Sequence, residues 1–365
     1  MRVAIVHDWL VTWRGGEKVL EALASLYPDA PIYTLFCKPQ ILPETLRNRN
    51  IIVHPTASRL GFLRKALLPF LPVWIESFDL GEFDLIISTS SCVAKGVIPH
   101  PDARHICYIH SPMRYVWDQQ ERYLGRVFQI PLIGFLARAL TTALRVWDVT
   151  SSARVDLFVA NSTFVKNRVR KYYGRRSVVI PPPVDTKRFI TGEPPTKEGY
   201  LLAAGAFVGY KRFDLAIAAC EKLGRKLVVA GQGPLLGSLR RQAGRHTTVI
   251  DAPDDATWRK LMLGADGFLF PGVEDFGITA IEAMASGTPL IALKKGGALG
   301  FVKEGETGVF FEGETVESLC AAIGKFDRIK WDVSALRDFA GRFSREMFTA
   351  KMRATIEELT EPEVY

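Results

Sequence analysis

Cysteine is scarce in this chain and never arranged for chemistry. Cys37, Cys92, Cys107, Cys220 and Cys320 are odd in number, scattered over 365 residues, and include no C-x-x-C pair. That argues against a disulfide framework or a cysteine-built zinc site, and leaves free thiols, three of them (Cys92, Cys107, Cys220) beside apolar positions. No apolar run reaches the roughly 18–20 residues of a membrane-spanning helix. No D-x-D triplet occurs, and no His/Cys/Asp cluster has metal-ligand spacing, so no metal is expected. The P-loop pattern is missing as well. Gly231-Gln232-Gly233-Pro234 opens like a dinucleotide fingerprint, but its third glycine would fall on Leu236 and Pro234 intrudes, which argues against an NAD site. The first residues, MRVAIVHDWL, form a short strand-like run with no hydrophobic region or cleavage site behind it, so a cytoplasmic protein is expected. Asn161-Ser162-Thr163 matches a glycosylation sequon but ends a strand, and reads as structural.

What is present is ordinary globular composition, 48% hydrophobic and 24% charged, in a chain long enough for two domains. The charge is uneven. Met1 to Ile190 carries 25 Lys+Arg against 15 Asp+Glu, whereas the remainder carries 22 against 24. All the excess positive charge lies in the first half, which fits a basic soluble surface or an anionic partner. Nothing in its pattern points to nucleic acid.

Short apolar runs alternate with helical patterns throughout. Residues 2–6, 84–88, 104–110, 156–160 and 177–181 read as strands in the first half, and 200–205, 226–231, 247–252, 266–271 and 289–293 in the second. Continuous apolar strands with helices between them predict parallel sheets buried on both faces. PPPVDTKRFITGEPPTKEG (181–199) reads as a linker. The expected fold class is α/β: one Rossmann-like domain over 1–185, a second over 186–343, and a C-terminal helix within 344–365 packing back on the first. Two such domains in series are expected to turn their strand ends toward a central cleft.

Three motifs carry candidate chemistry. Gly15-Gly16 follows the first strand; it is either a plain turn or a place where backbone amides approach an anion at a helix start. GAFVGYKRFD (205–214) places Lys211 and Arg212 at a strand-to-helix junction, where the pair is either a solvated turn or a binder of diphosphate. PGVEDFGITAIEAMASGTPLIA (271–292) sets Glu274 in the loop after a strand and Glu282 in the second turn of the next helix. Carboxylates so placed can accept hydrogen bonds from vicinal hydroxyls, while the first helix amides face phosphate or sugar oxygens.

This block resembles the E-x7-E signature of glycosyltransferase family 4, which has the GT-B fold. The likeness continues, in order, through Gly15-Gly16, FDLIISTSSCVAKGV (83–97), YIHSPMRYVWD (108–118), VANSTFVKNRV (159–169), IPPPVD (180–185), YKRFDLAI (210–217) and VVAGQGP (228–234). YIHSPMRYVWD and YKRFDLAI are similar to segments of bacterial mannosyltransferases of O-antigen and exopolysaccharide assembly. The resemblance implies a retaining transferase taking mannose from GDP-mannose, with no cofactor; a lipid-linked saccharide as acceptor is expected from the basic charge and amphipathic segments of the first half. The resemblance also implies catalytic roles for His110, Lys211, Arg212 and Glu274. Donor binding would fall to Gly15, Gly16, Gly205, Lys211, Arg212, Gly233, the amides of Phe276, Gly277 and Ile278, and Glu282, the last at the ribose hydroxyls. One departure stands out: many members carry Gly-Arg-Leu where this chain has Gly205-Ala206-Phe207, so Arg212 is expected to replace the missing arginine.

Residues 61–74 and 122–147 mix aromatics, leucines and arginines, with Arg138 and Arg145 on one helical face. They are either core helices or basic amphipathic segments for an anionic interface; with the charge of the first half, attachment to the inner face of the cytoplasmic membrane is expected. The competing expectations are transfer of another hexose from a UDP-sugar, and a catalytically silent nucleotide-sugar-binding subunit.

Overall fold

The computed structural model describes residues 1–61, 67–118, 120, 125, 127–189 and 196–361. Parts of the segments 61–74, 122–147, 181–199 and 344–365 therefore lie outside the described residues. The chain forms two compact units, one of Met1–Pro183 with the segment from Phe348 onward, the other of Val184–Met347.

The first unit is built on seven strands: β1 (Val3–His7), β2 (Ile32–Thr34), β3 (Ile51–Val53), β4 (Leu85–Ser90), β5 (Arg104–Ile109), β6 (Leu157–Ala160) and β7 (Ser177–Val179). They pair in parallel in the order β3-β2-β1-β4-β5-β6-β7. Residues of β1 alternate between two cores: Val3 and Ile5 join Ile87, Ile106 and Leu20, while Ala4 and Val6 join Ile86, Phe83 and Leu144. Strands covered on both faces need no polar alternation, which is why they read as continuous apolar runs. In the Arg345–Thr360 helix, Phe348, Met352 and Ile356 recur every four residues and bury in the first of these cores, Phe348 edge-on to Tyr108 at 5.6 Å.

The second unit has six strands: β8 (Leu201–Ala206), β9 (Leu227–Gln232), β10 (Thr247–Asp251), β11 (Gly267–Phe270), β12 (Leu290–Leu293) and β13 (Gly308–Phe311). All pair in parallel in the order β10-β9-β8-β11-β12-β13. Leu202, Phe268 and Phe270 face one core and Leu201, Ala203 and Leu269 the other.

All ten runs with a strand pattern are strands, and three further strands are found among the described residues. β2 and β3 are three residues each, and β13 is four, at the sheet edge after the 304–307 turn. Runs that short hold no recognisable period; they are strands because a neighbour already offers an open edge.

In each sheet the strand order reverses once, between β1 and β4 and between β8 and β11. Chains leaving the carboxyl ends of those two strands depart in opposite directions and open a crevice there, where ligands of doubly wound folds bind.

Candidate active site

The second unit brings its candidate residues to that crevice. β8 runs out through Gly205 into a short turn, Gly209–Lys211, ahead of the Phe213–Leu223 helix. β11 runs out through residues 271–277 into the Ile278–Ala285 helix. The two exits meet: Lys211 Nζ donates to Glu274 Oε1 at 2.5 Å, with both side chains largely buried. Gly205 makes room for this, because at φ +138° a side chain there would stand 2.9 Å from Lys211 Nζ. The main chain of Glu274 is held by Gly297, whose amide donates to its carbonyl at 2.8 Å.

Gly277 is the N-cap of the Ile278–Ala285 helix, at φ +117°. A Cβ there would fall 2.6 Å from the Phe270 ring, so only glycine lets the chain turn sharply into the helix and leave its first amides facing the crevice. The Phe276 side chain is buried against Phe301 and Phe343, with ring centroids 5.7 Å away in each case, so its backbone is what it can offer a ligand. Ile278 follows as the first helical residue, half-buried. Glu282, one turn further, is buried, and its Oε2 accepts from Trp258 Nε1 at 3.2 Å. Trp258 comes from the Asp255–Gly264 helix, whose N-terminus is capped by Asp254 accepting from Thr257 N at 2.8 Å. Sequence reasoning missed Trp258; the Asp254 cap signal shortly before it was the available clue.

Arg212 is placed differently. It adopts the left-handed conformation, φ +52°, and its guanidinium turns to two carboxylates. Nε and Nη2 donate to Asp214 at 3.0–3.2 Å and Nη1 to Glu314 at 2.8 Å. The Asp214 hydrogen bonds, with Glu314 behind them, hold its pKa above the ordinary arginine value. Arg212 is thus bound into its own carboxylate cluster beside the Lys211–Glu274 pair rather than within it. Gly233, at φ +154°, lies against the Phe207 backbone, where any side chain would collide with the carbonyl.

In the first unit the reversal between β1 and β4 is closed by a side chain. The Asp8 carboxylate accepts from the amides of Ser91, Cys92, Val93 and Ala94 at 2.6–2.9 Å, and from Ser91 Oγ at 3.0 Å. It occupies with its own charge the nest of amides that would otherwise attract an anion. The Gly15–Leu26 helix starts at the glycine pair, with Arg14 N donating to Glu17 at 2.8 Å; burial raises the Glu17 pKa. Gly16 packs on the His110 ring, a Cβ at that position falling 3.6 Å from Nε2. His110 itself leaves β5, its carbonyl accepting from Asn161 Nδ2 at 2.9 Å and its ring standing 5.3 Å from Tyr108. So Gly16 and His110, 94 residues apart in the numbering, are neighbours.

The segment after His110 is fastened from behind. Arg168 donates to Ser111 Oγ at 2.8 Å and to Asp118 at 2.6 Å, and Trp117 stacks on Tyr172 at 4.5 Å. Trp117 Nε1 also donates to Asp148 Oδ2 at 2.8 Å, as does the Tyr173 hydroxyl at 2.9 Å. Lys95 Nζ, buried with Asp148, lies 2.9 Å from its Oδ1 and donates to the Asp148 carbonyl and Ser151 Oγ. No spacing rule links positions 95, 117, 148 and 173, and the sequence reading did not find this hub.

Two doubly wound parallel sheets, each with its crevice at the strand-order reversal, define the GT-B class of glycosyltransferase folds. Solved structures agree on the fold: Anabaena HepE in complex with UDP superimposes with a TM-score of 0.72 at 16% identity, over 98% of this chain and 100% of that one. The lipopolysaccharide outer core galactosyltransferase WaaB gives 0.69 at 15%, over 98% and 100%. The family model described as Glycosyltransferase Family 4 matches residues 13–188, and that described as Glycosyl transferases group 1 matches 184–330. The chain belongs to glycosyltransferase family 4.

Among its relatives is the GDP-mannose-dependent alpha-(1-6)-phosphatidylinositol monomannoside mannosyltransferase of Mycolicibacterium smegmatis, 30% identical over 50% of this chain and 55% of the relative. A glycogen synthase of Mycobacterium tuberculosis is also 30% identical, over 52% and 50%. The O-antigen chain mannosyltransferase C of Escherichia coli is 27% identical, over 54% and 58%. The chain spans about half the length of these relatives.

Proposed function

We propose that this protein transfers a hexose from a nucleotide-diphosphate donor, mannose from GDP-mannose, to a lipid-linked saccharide in O-antigen or exopolysaccharide assembly. The observation that carries the proposal is the meeting of Lys211 and Glu274 at the β8–β11 reversal, at the head of a helix that holds Glu282 one turn on. A cation, two carboxylates and open helix amides in one crevice suit a diphosphate flanked by two polyhydroxylated rings. Glu282 binds the ribose hydroxyls and Glu274 a hydroxyl of the donor sugar. Lys211, the amides of Phe276, Gly277 and Ile278, and Arg212 once released from its carboxylates offset the charge of the leaving diphosphate, without a metal ion. Gly16 is assigned to the diphosphate and His110 to the transferred sugar, as the family resemblance implies.

In the reaction the bond between the sugar C1 and the phosphate oxygen breaks, and a bond from C1 to the acceptor oxygen forms on the same face. The acceptor proton passes to the departing phosphate. The donor assignment is supported by the mannosyltransferases among the relatives and by the YIHSP and YKRFD segments. The UDP-bound HepE structure favours a uridine donor as the second reading.

The test is a thermal-shift titration with GDP, GDP-mannose, UDP and UDP-glucose in EDTA, followed by nucleotide release with and without acceptor. A ligand that binds only the folded protein stabilises it by about 2.7 kcal/mol at a hundred times its Kd. Stabilisation by guanine nucleotides and acceptor-dependent GDP release is the expected result. A response to uridine nucleotides alone replaces the donor, and no response to any of them overturns the transferase reading.

A further inference from the structure

The segment that follows His110 is held at both of its ends by one stretch of chain, the exit of β6 and the Thr163–Tyr173 helix it leads into. Asn161 Nδ2 donates to the His110 carbonyl at 2.9 Å, and Asn161 Oδ1 in turn accepts from Ser162 Oγ at 3.0 Å. Ser162 is the N-cap of the helix, accepting from Val165 N at 3.1 Å, so the tie to His110 starts from a fixed element. Further along the same helix, Arg168 Nη1 donates to Ser111 Oγ at 2.8 Å and Nη2 to Asp118 Oδ1 at 2.6 Å.

One guanidinium therefore fastens the first and the last residue of 111–118. Its planar fork sets both partners in a fixed relation, which an ammonium on a flexible stem does not. The arginine is 7% exposed, with the rings of Phe164 and Tyr172 centred 5.8 and 5.9 Å from its guanidinium carbon. Burying a guanidinium costs solvation, so packing alone gives no reason to keep it here. Met113 and Val116, in the middle of the segment, already lie in the core with Ile86 and Leu144. The apolar core thus holds the middle of the segment, and the polar ties govern its ends. One of those ends is Ser111, the chain neighbour of His110, whose ring stands against Gly16.

We propose that Arg168 is a positioning residue of the transferase, setting where His110 stands by fixing Ser111 and Asp118, while Asn161 fixes the His110 carbonyl. Neither side chain needs to touch donor or acceptor. The inference rests on the role proposed for His110 and deepens it by naming what holds that residue in place. Reacting groups displaced by about 1 Å can lose on the order of a hundredfold in rate, so a small shift of this segment is read in turnover. The ribose and most of the diphosphate contacts are assigned to the second unit, so affinity for the nucleoside diphosphate does not follow.

The experiment compares the full-length wild type with R168M, R168K, N161A and D118N. Turnover is read as nucleotide released from GDP-mannose, or from UDP-glucose if uridine nucleotides alone stabilise the protein, with octyl mannoside or water as acceptor. Calorimetry gives the affinity for the nucleoside diphosphate, and NMR the histidine ring signals, that of His110 being assigned by its loss in H110Q. Expected in R168M is a kcat about a hundredfold lower, with nucleotide affinity and melting temperature close to wild type. Its His110 signal shifts while those of His100 and His246 stay, and R168K, which keeps the charge without the fork, recovers part of the rate. N161A likewise loses turnover and not nucleotide affinity. Full kcat in R168M overturns the inference. So does a fall in kcat matched by an equal fall in nucleotide affinity or in folded fraction, which makes Arg168 merely structural. Asp118 is 35% exposed, so D118N keeps the fold even if R168M does not. Wild-type kcat and an unmoved His110 signal in D118N then overturn the inference. No nucleotide release by the wild type overturns the transferase reading and this inference together, whereas full turnover of R168M overturns this inference alone.

Discussion

Lys211 Nζ lies 2.5 Å from Glu274 Oε1, joining two loops 63 positions apart at the carboxyl ends of β8 and β11. The pair is largely buried, so each side chain fixes the other, and the crevice holds one compensated cation. A bound donor would have to draw the lysine toward the diphosphate while its hydroxyl takes up the carboxylate.

Lys211→Ala removes that cation and leaves Glu274 partly buried without its partner. Acceptor-dependent nucleotide release should drop about 10²–10³-fold, the scale seen when one electrostatic stabiliser of a transition state is lost. Steady-state kinetics decide it; a change in KM alone, with kcat intact, would assign Lys211 to ground-state binding.

The two glutamates should separate by ligand. Glu282→Ala should weaken binding of the nucleoside diphosphate alone by about 10–100-fold, since hydrogen bonds to a charged group are the stronger kind. Glu274→Gln should leave that affinity nearly unchanged and weaken only the nucleotide sugar. Calorimetric titration of both variants with GDP and GDP-mannose compares them directly. Equal losses for the two ligands in both variants would remove the ribose and sugar assignments.

Gly16 and Gly277 predict opposite outcomes for the same change. Gly16→Ala adds a methyl in ordinary contact with the His110 ring, so the fold should persist while turnover falls. Gly277→Ala forces a side chain to φ +117° and into the Phe270 ring, and should lower stability by about 1–3 kcal/mol. Melting temperatures and nucleotide release of the two variants, measured side by side, test the contrast.

Asp148→Ala strands the buried ammonium of Lys95 and releases Trp117 and Tyr173. A loss of about 3–5 kcal/mol is expected, as for other buried ion pairs deprived of one partner. The double change Lys95→Met with Asp148→Leu should recover part of it. Urea denaturation measures both; a loss under about 1 kcal/mol in the single variant would deny Asp148 its role as hub.

Burial lowers the pKa of both His7 and His105 from 6.5 to about 4. The unfolded chain then binds more protons than the folded one between those values, so stability falls as pH falls through 6.5 toward 4. Each histidine should cost about 2 kcal/mol between pH 7 and pH 5. Melting curves across that range should flatten in His105→Gln, and an unchanged slope would mean the ring is protonated in the folded state.

The long apolar strands, the parallel sheets and the E-x7-E block were legible because each is written in contiguous residues. RVAIV or DGFLFP needs no partner to declare itself a buried strand, and a helix opening at Gly277 places Glu282 one turn in by geometry alone. β2, β3 and β13 were not legible, since three or four residues become a strand only against an edge that another segment supplies. Arg212 illustrates the limit most clearly: the sequence sets it beside Lys211, but a left-handed backbone turns its guanidinium to Asp214 and to Glu314, 102 positions away. Trp258 beside Glu282, Gly16 beside His110, and Lys95 with Asp148 likewise come from elements distant in the chain. Local order and hydrophobic period are encoded at short range, so the sequence by itself determined the fold class and the motifs. Which charges compensate one another depends on how distant loops are brought together by the sheets, and that only the tertiary structure decided.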